Sequence, residues 1–168
     1  MTGLPEAEVH GLAVKAFIAG MTDPSNPIPA RHGFVGEIDE NAWYPRKDYL
    51  AMLNDLAEHS YILDMVSVGL QISRYAPMPP HVNSIESVLQ NLDNSYRMGH
   101  RNVAEDEGLA YQKIDERTYY IVSRNPYLPN LEYGVIFGLV ERFAPQDIRF
   151  SVYLEEEGEY PAYRIVVR

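Results

Sequence analysis

The apolar residues of this chain change period once. In the first hundred or so positions they recur every three to four residues, as on helix faces, and past Gly108 they alternate, as on strands. "LAYQKI" and "RTYYIVSR" read as one hairpin joined around Asp115 and Glu116, and "DIRFSVYLEEE" with "YPAYRIVVR" as a second hairpin turning near Gly158. Between them "LEYGVIFGLVERFA" is apolar nearly all round from Tyr133 to Val140, which predicts a buried helix over about 130–143 packed across the sheet. Its Gly134 and Gly138 would let another backbone approach closely, at a propensity cost on the order of 1 kcal/mol each. The expected fold class is therefore α+β: a helical N-terminal part packed on a four-stranded antiparallel sheet made of two hairpins, with a glycine-containing helix between the hairpins.

The helical part is punctuated by proline and glycine. "PEAEVHGLAVKAFIAGM" suits a first helix that opens at Pro5 and its two glutamates and ends at Gly20. The stretch from Thr22 to Pro45, rich in Pro and Gly, reads as one long loop. "RKDYLAMLNDLAEHSYILDMVSVGLQISRY" gives two helices, or one broken near His59 and Ser60, and "APMPPHV" stops it. A new helix then starts at "NSIE", with Asn83 as cap and Glu86 as its capping-box partner. Ile85, Val88, Leu89, Leu92 and Tyr96 share its inward stripe, and His100 lies one turn beyond. The 168 residues fit one domain, 1–168.

Composition removes several functions. With 14 Lys and Arg against 24 Asp and Glu the formal charge is −10, which opposes nucleic-acid binding and attraction to anionic membranes. The chain has no Cys, so disulfides, thiolate metal sites and S-acylation are absent, and no apolar run is long enough for membrane insertion. A cytoplasmic location is the expectation. No hydrolase, zincin or nucleotide-binding motif occurs, so no catalytic residue is assigned. The histidines at 10, 32, 59, 81 and 100 show no two at metal-ligand spacing on one helix, and no metal site is expected. Acidic pairs such as Asp106 and Glu107, and the run Glu155 to Glu157, read as solvated turns.

The 13 tyrosines offer the best candidate chemistry. Strand alternation places Tyr120, Val122 and Arg124 on one face, where a phenol and a guanidinium could hold a carboxylate. The ordinary alternatives stand beside it: Tyr96 as a core aromatic, His100 as the cap of its helix after Gly99, and Arg124 as a basic side chain reaching solvent.

Three segments, "VLQNLDNSY", "YYIVSR" and "YGVIFGLVERFA", together resemble the superfamily of heme nitric-oxide-binding domains, bacterial 4-vinyl-reductase domains and Bet3-like subunits of the TRAPP transport particle. The resemblance covers about residues 45–168, and "NPYLPNLEYGVIFGLVERF" is especially similar to the 4-vinyl-reductase type. It implies that Tyr96 occupies the position of the heme branch's axial His. It also implies that Tyr120 and Arg124 match the propionate-holding YxSxR, with Val122 in place of Ser. The cysteines of the other two branches are absent. The leading expectation is a sensor or carrier domain that binds a hydrophobic small molecule, planar or apolar and possibly acidic, in an internal cavity. Tyr96, Tyr120, Arg124 and His100 would orient the ligand, with Phe137 and Trp43 as walls, and no resident cofactor is expected. The alternative is a ligand-free interaction module that forms a homodimer or docks a signalling partner protein; a heme gas sensor is the third reading.

Overall fold

A computed structural model describes residues 5–21, 23–59 and 62–168. The elements run β1 (Glu8–His10), α1 (Gly11–Gly20), α2 (Ile28–Arg31), β2 (Trp43–Pro45), α3 (Arg46–His59), α4 (Ile62–Tyr75), α5 (Ile85–Gln90), α6 (Leu92–Met98), β3 (His100–Arg101), β4 (Gly108–Asp115), β5 (Thr118–Arg124), α7 (Pro129–Phe143), β6 (Phe150–Glu155) and β7 (Ala162–Val167). The class is α+β. Both expected hairpins form, and they join through their second strands to give an antiparallel sheet of order β4-β5-β7-β6. No helix among the described residues is long and apolar enough to cross a membrane.

The helix between the hairpins begins at Pro129, where a missing N–H costs nothing, and packs over the sheet. Its glycines are spent inside the molecule. A Cβ on Gly134 would stand 2.2 Å from the Val66 carbonyl oxygen of α4, and one on Gly69 of α4 would meet the Leu131 carbonyl in return. The two helices thus cross backbone against backbone, and the close approach that the glycines of α7 permit is taken up by α4 of the same molecule.

Two apolar clusters result. One lies among the N-terminal helices and includes Phe17, Met52, Leu53 and Leu56, with Leu131 entering from α7. The other fills the space between α5, α7 and the sheet with Val88, Leu89, Ile121, Ile136, Tyr163 and Ile165. Each fully buried aliphatic side chain contributes roughly 1.5–3 kcal/mol relative to exposure.

Several boundaries differ from the sequence reading. The first helix opens at Gly11 rather than Pro5, because residues 8–10 are taken as the middle strand of a second sheet, β2-β1-β3. His10 then caps α1, its Nδ1 accepting from the Leu12 N–H at 3.3 Å. The loop from Thr22 to Pro45 contains α2 and β2, and Thr22 itself lies outside the described residues. The break near His59 and Ser60 falls between α3 and α4, with residues 60 and 61 outside the described ones. The cap of the next helix is Ser84, not Asn83: the Ser84 hydroxyl accepts from the Ser87 N–H and the Ser84 N–H donates to the Ser87 hydroxyl. A compact Ser–Ser box wins because one Ser87 hydroxyl serves both Asn83 and Ser84 N–H groups. That helix divides at Asn91 into α5 and α6.

Candidate functional site

Where the N-terminal helices meet the sheet half, four side chains from separate elements converge. Arg46 opens α3, Tyr96 lies on the buried face of α6, Glu107 precedes β4, and Tyr127 lies in the Pro-rich turn before α7. The Arg46 guanidinium donates to the Tyr96 hydroxyl at 3.3 Å and to the Glu107 carboxylate, and the Tyr96 hydroxyl donates to the same carboxylate oxygen. Arg46 and Glu107 keep only 15% and 14% of their side-chain surface, so the pair is largely out of water. The segment that carries Glu107 is tied down independently. Arg97 on α6 donates to the Glu105 and Glu107 carbonyls, and Asp93 accepts from the Leu109 N–H.

His100 extends this network. Its ring stacks on Tyr96 at 4.1 Å between centroids and an interplanar angle of 18°. Its Nδ1 faces the Tyr96 carbonyl at 2.7 Å, and a carbonyl can only accept, so the proton sits on Nδ1. Burial pushes the imidazole pKa down, which keeps the ring neutral and leaves Nε2 as the acceptor for the Tyr127 hydroxyl. Tyr127 in turn meets Tyr49 edge-on at 5.9 Å, and Tyr49 meets Phe17 and Phe34, continuing the aromatic cluster into the N-terminal core. Burial first, then the Glu107 carboxylate, drives the Tyr96 pKa far above the ordinary phenol value. Among the described residues no buried side-chain nitrogen or oxygen lacks a partner.

The other residues singled out in the sequence lie elsewhere. On β5, Tyr119, Ile121 and Ser123 are the buried set, so Tyr120, Val122 and Arg124 occupy the outward face of the sheet. There the Tyr120 hydroxyl donates to Glu155 at 2.9 Å, Arg164 donates to the other oxygen of that carboxylate, and exposed Arg124 rests over the Tyr160 ring. The expected convergence of Tyr96, Tyr120 and Arg124 therefore does not occur, because strand alternation turns the last two away from the helices. Phe137 packs against Phe150 and Tyr133 inside the sheet-side core. Trp43 belongs to the small sheet, held between His10, edge-on at 5.0 Å, and the Arg101 guanidinium at 4.6 Å. The C-cap of α6 is Gly99, and His100 adds a side-chain hydrogen bond to the Tyr96 carbonyl of its last turn while also touching the cluster.

Three participants escaped the sequence reading. Glu107 reads as a solvated turn acid, and Arg46 and Tyr127 carry no motif that marks them. Their contacts span 61 residues between Arg46 and Glu107 and 27 between His100 and Tyr127, so no local spacing marks them. Two open surface depressions, of about 300 and 380 Å³, lie over α4 and α7 and beside residues 37–40; neither touches Tyr96, Tyr120 or Arg124.

Among solved structures, the chain superposes on an H-NOX protein from S. oneidensis in the Fe(II)NO ligation state with a TM-score of 0.69 at 10% identity, over 95% of this chain and 99% of that one. An oxygen-binding H-NOX domain related to soluble guanylate cyclases, in its oxygen complex, gives 0.64 at 16% identity over 94% of each chain. No family model matches the sequence, and no curated protein matches it at a strict threshold. The chain has the fold of the H-NOX domains.

The residues present do not fit a heme. Ferric iron takes tyrosine as the phenolate, and Tyr96 is held as a phenol that donates to a carboxylate. The Nε2 lone pair of His100 is committed to Tyr127. Tyr120 and Arg124, matched to the propionate-holding motif, face away from the side of the sheet that the helices cover.

Proposed function

We propose that this chain is a heme-independent protein-interaction module built on the H-NOX fold. The observation that carries the reading is the filled seam: the Tyr96, His100 and Tyr127 rings pack together, and the Arg46–Glu107 pair satisfies the Tyr96 phenol. A fold whose internal site is closed by its own side chains acts through its surface. The outward sheet face offers Tyr120, Tyr153, Tyr160, Arg124 and Arg164, the aromatic and arginine composition that dominates binding energy at protein interfaces. The partner is a signalling protein or a second copy of the chain.

The test is a hemin titration and native mass spectrometry of protein purified from heme-replete cells, followed by sedimentation over a range of concentrations. The reading expects the bare chain mass, no saturable Soret band, and association weakened by Tyr153→Arg. One organic molecule retained per chain would overturn it in favour of the small-molecule sensor. That second reading draws on one specific observation: the polar tips of Tyr96, His100 and Tyr127 meet within aromatic walls, which is the lining that an amphipathic ligand would use if the stack opened.

A further inference from the structure

Arg149 and Arg168 extend the β6–β7 ladder by one step, exchanging N–H···O bonds at 3.2 and 2.7 Å. Residues that exchange both bonds stand directly opposite each other, and their side chains share a face. That face is the outward one: Phe150, Val152, Ile165 and Val167 of the same strands pack in the sheet-side core, so Arg149, Arg164 and Arg168 alternate away from it. The Arg168 guanidinium reaches the Tyr153 hydroxyl at 3.4 Å, and the Arg164 guanidinium covers the Tyr153 ring at 4.5 Å. Of these arginines only Arg164 forms an ion pair among the described residues, with Glu155. Like charges directly opposite on neighbouring strands oppose pairing, so Arg149 and Arg168 work against the ladder they close unless an anion lies over them. The acids of the β6–β7 turn, Glu156, Glu157 and Glu159, lie at the other end of both strands.

We propose that Arg149, Tyr153, Arg164 and Arg168 dock an acidic segment of a partner protein, an inference that rests on the reading of the outward sheet face as the contact surface. Charge complementarity carries it. The whole chain has 14 Lys and Arg against 24 Asp and Glu, whereas in this patch the carboxylate present, Glu155, is already held by Arg164 and Tyr120. The guanidiniums of Arg149 and Arg168 present planar forks that match a carboxylate with two parallel hydrogen bonds. Tyr153, 40% exposed, supplies ring surface for apolar residues of the same segment. The occupant is protein rather than nucleic acid or a lipid surface. A polyanion much longer than the patch would meet the acidic remainder of the chain, while a short segment stays within the roughly 8 Å over which charges act at physiological salt. Two copies laid face to face would bring arginine against arginine, so the patch is not matched by itself.

The experiment is fluorescence anisotropy of a rhodamine-labelled amphipathic peptide, Glu and Leu in a helical repeat over about three turns, titrated with the full chain at low and at physiological salt. Expected are saturable binding that weakens with salt and a loss of about tenfold when every Glu of the peptide becomes Gln. Arg149→Ala and Arg168→Ala should each lose about tenfold as well, and Arg74→Ala, at an exposed arginine of α4, should bind as the parent does. Because the two arginines oppose each other in the free chain, both alanine variants should keep or raise the urea midpoint, which a merely structural role would lower. Equal binding of the Gln peptide, or unchanged affinity in the Arg149→Ala/Arg168→Ala double variant, overturns the proposal. So does tighter binding of a single-stranded oligonucleotide or of phosphatidylserine vesicles. The hemin and mass measurements above are scored separately: an organic molecule retained by the chain removes the interaction reading, while loss of peptide binding with a bare chain mass removes only this partner.

Discussion

Tyr96 and Tyr120 each donate to a glutamate that is also held by an arginine, yet the two trios sit in opposite surroundings. In the seam, Arg46 and Glu107 retain 15% and 14% of their side-chain surface. On the outer sheet face, Arg164 and Glu155 retain 41% and 37%. The hydrogen bond from Arg164, then the one from Tyr120, holds the Glu155 carboxyl below its ordinary range, but water can replace either donor. In the seam far less water reaches Arg46 and Glu107, and the Tyr96 hydroxyl and the Tyr127 ring stand beside them. The same three side-chain types thus form a fixed brace in one place and a rearrangeable surface in the other. A fixed brace suits a closed core, and a rearrangeable Tyr–Arg face suits contact with another protein.

Removing the carboxylate is the hardest test of this contrast. Glu107→Ala leaves Arg46 uncompensated inside the seam and should cost about 3–5 kcal/mol, read from urea unfolding. Glu155→Ala, screened by solvent, should cost below about 1 kcal/mol. Equal losses would mean that the two trios do the same work. Gly134→Ala separates the brace from the helix crossing near it. A methyl 2.2 Å from the Val66 carbonyl must push α4 and α7 apart, at about 1–3 kcal/mol, although it touches neither trio. Gly158→Ala is the control, since its added carbon would meet nothing closer than 3.6 Å.

These contrasts also explain what could be read from the sequence. The change of period at Gly108 was enough for the two hairpins and α7, because each is a run of six or more residues whose burial repeats locally. The small sheet was not legible. Its strands are three residues or fewer, and β1 reaches from Val9 to His100 for a partner, so only tertiary contact selects it over a longer first helix. Tyr96 was legible as an inward phenol from its stripe with Val88 and Leu92. Glu107 was not, since a carboxylate in a turn looks the same in sequence whether water or Arg46 faces it. Alternation did group Tyr120 with Arg124, as the structure has them, but which strand face the helices cover is decided by packing across the sheet.

A third pair sharpens the comparison because it has the phenol and the carboxylate but no arginine. Glu132 on α7 accepts from Asn125 at 2.7 Å and lies 2.8 Å from the Tyr163 hydroxyl, and among the described residues no cation pairs with it. The Tyr163 hydroxyl also lies 3.0 Å from the Pro129 carbonyl, and it has one proton for two acceptors. Burial pushes the Glu132 carboxyl above the ordinary 4.5, against the hydrogen bonds of Ser123, Asn125 and Tyr163, which pull it down. The folded state then binds the extra proton. Stability contributed by this group is fully present below pH 4.5 and is lost as pH rises through the raised folded value, by at most about 1.4 kcal/mol per pH unit. Glu132→Gln should remove that slope and leave the protein at least as stable at neutral pH. An unchanged slope in urea midpoints between pH 4 and 8 would show that Glu132 is charged in the fold.

The smallest effect expected is that of Tyr120→Phe, and its smallness is the point. The hydroxyl lost is the weaker of two donors to Glu155, and Arg164 remains on the other carboxylate oxygen at 2.8 Å. Water reaches the oxygen that Tyr120 leaves, so the cost should stay within about 0.5 kcal/mol. Tyr96→Phe removes the corresponding hydroxyl from the seam, where Glu107 then loses a donor that little water is present to replace, and about 1.5–3 kcal/mol should follow. Paired urea titrations of the two Phe variants therefore measure the brace against the surface with the same atom deleted from each. If Tyr120→Phe proved as costly as Tyr96→Phe, the outer face would be a fixed structural element, and the surface that the interaction module needs would have to lie elsewhere.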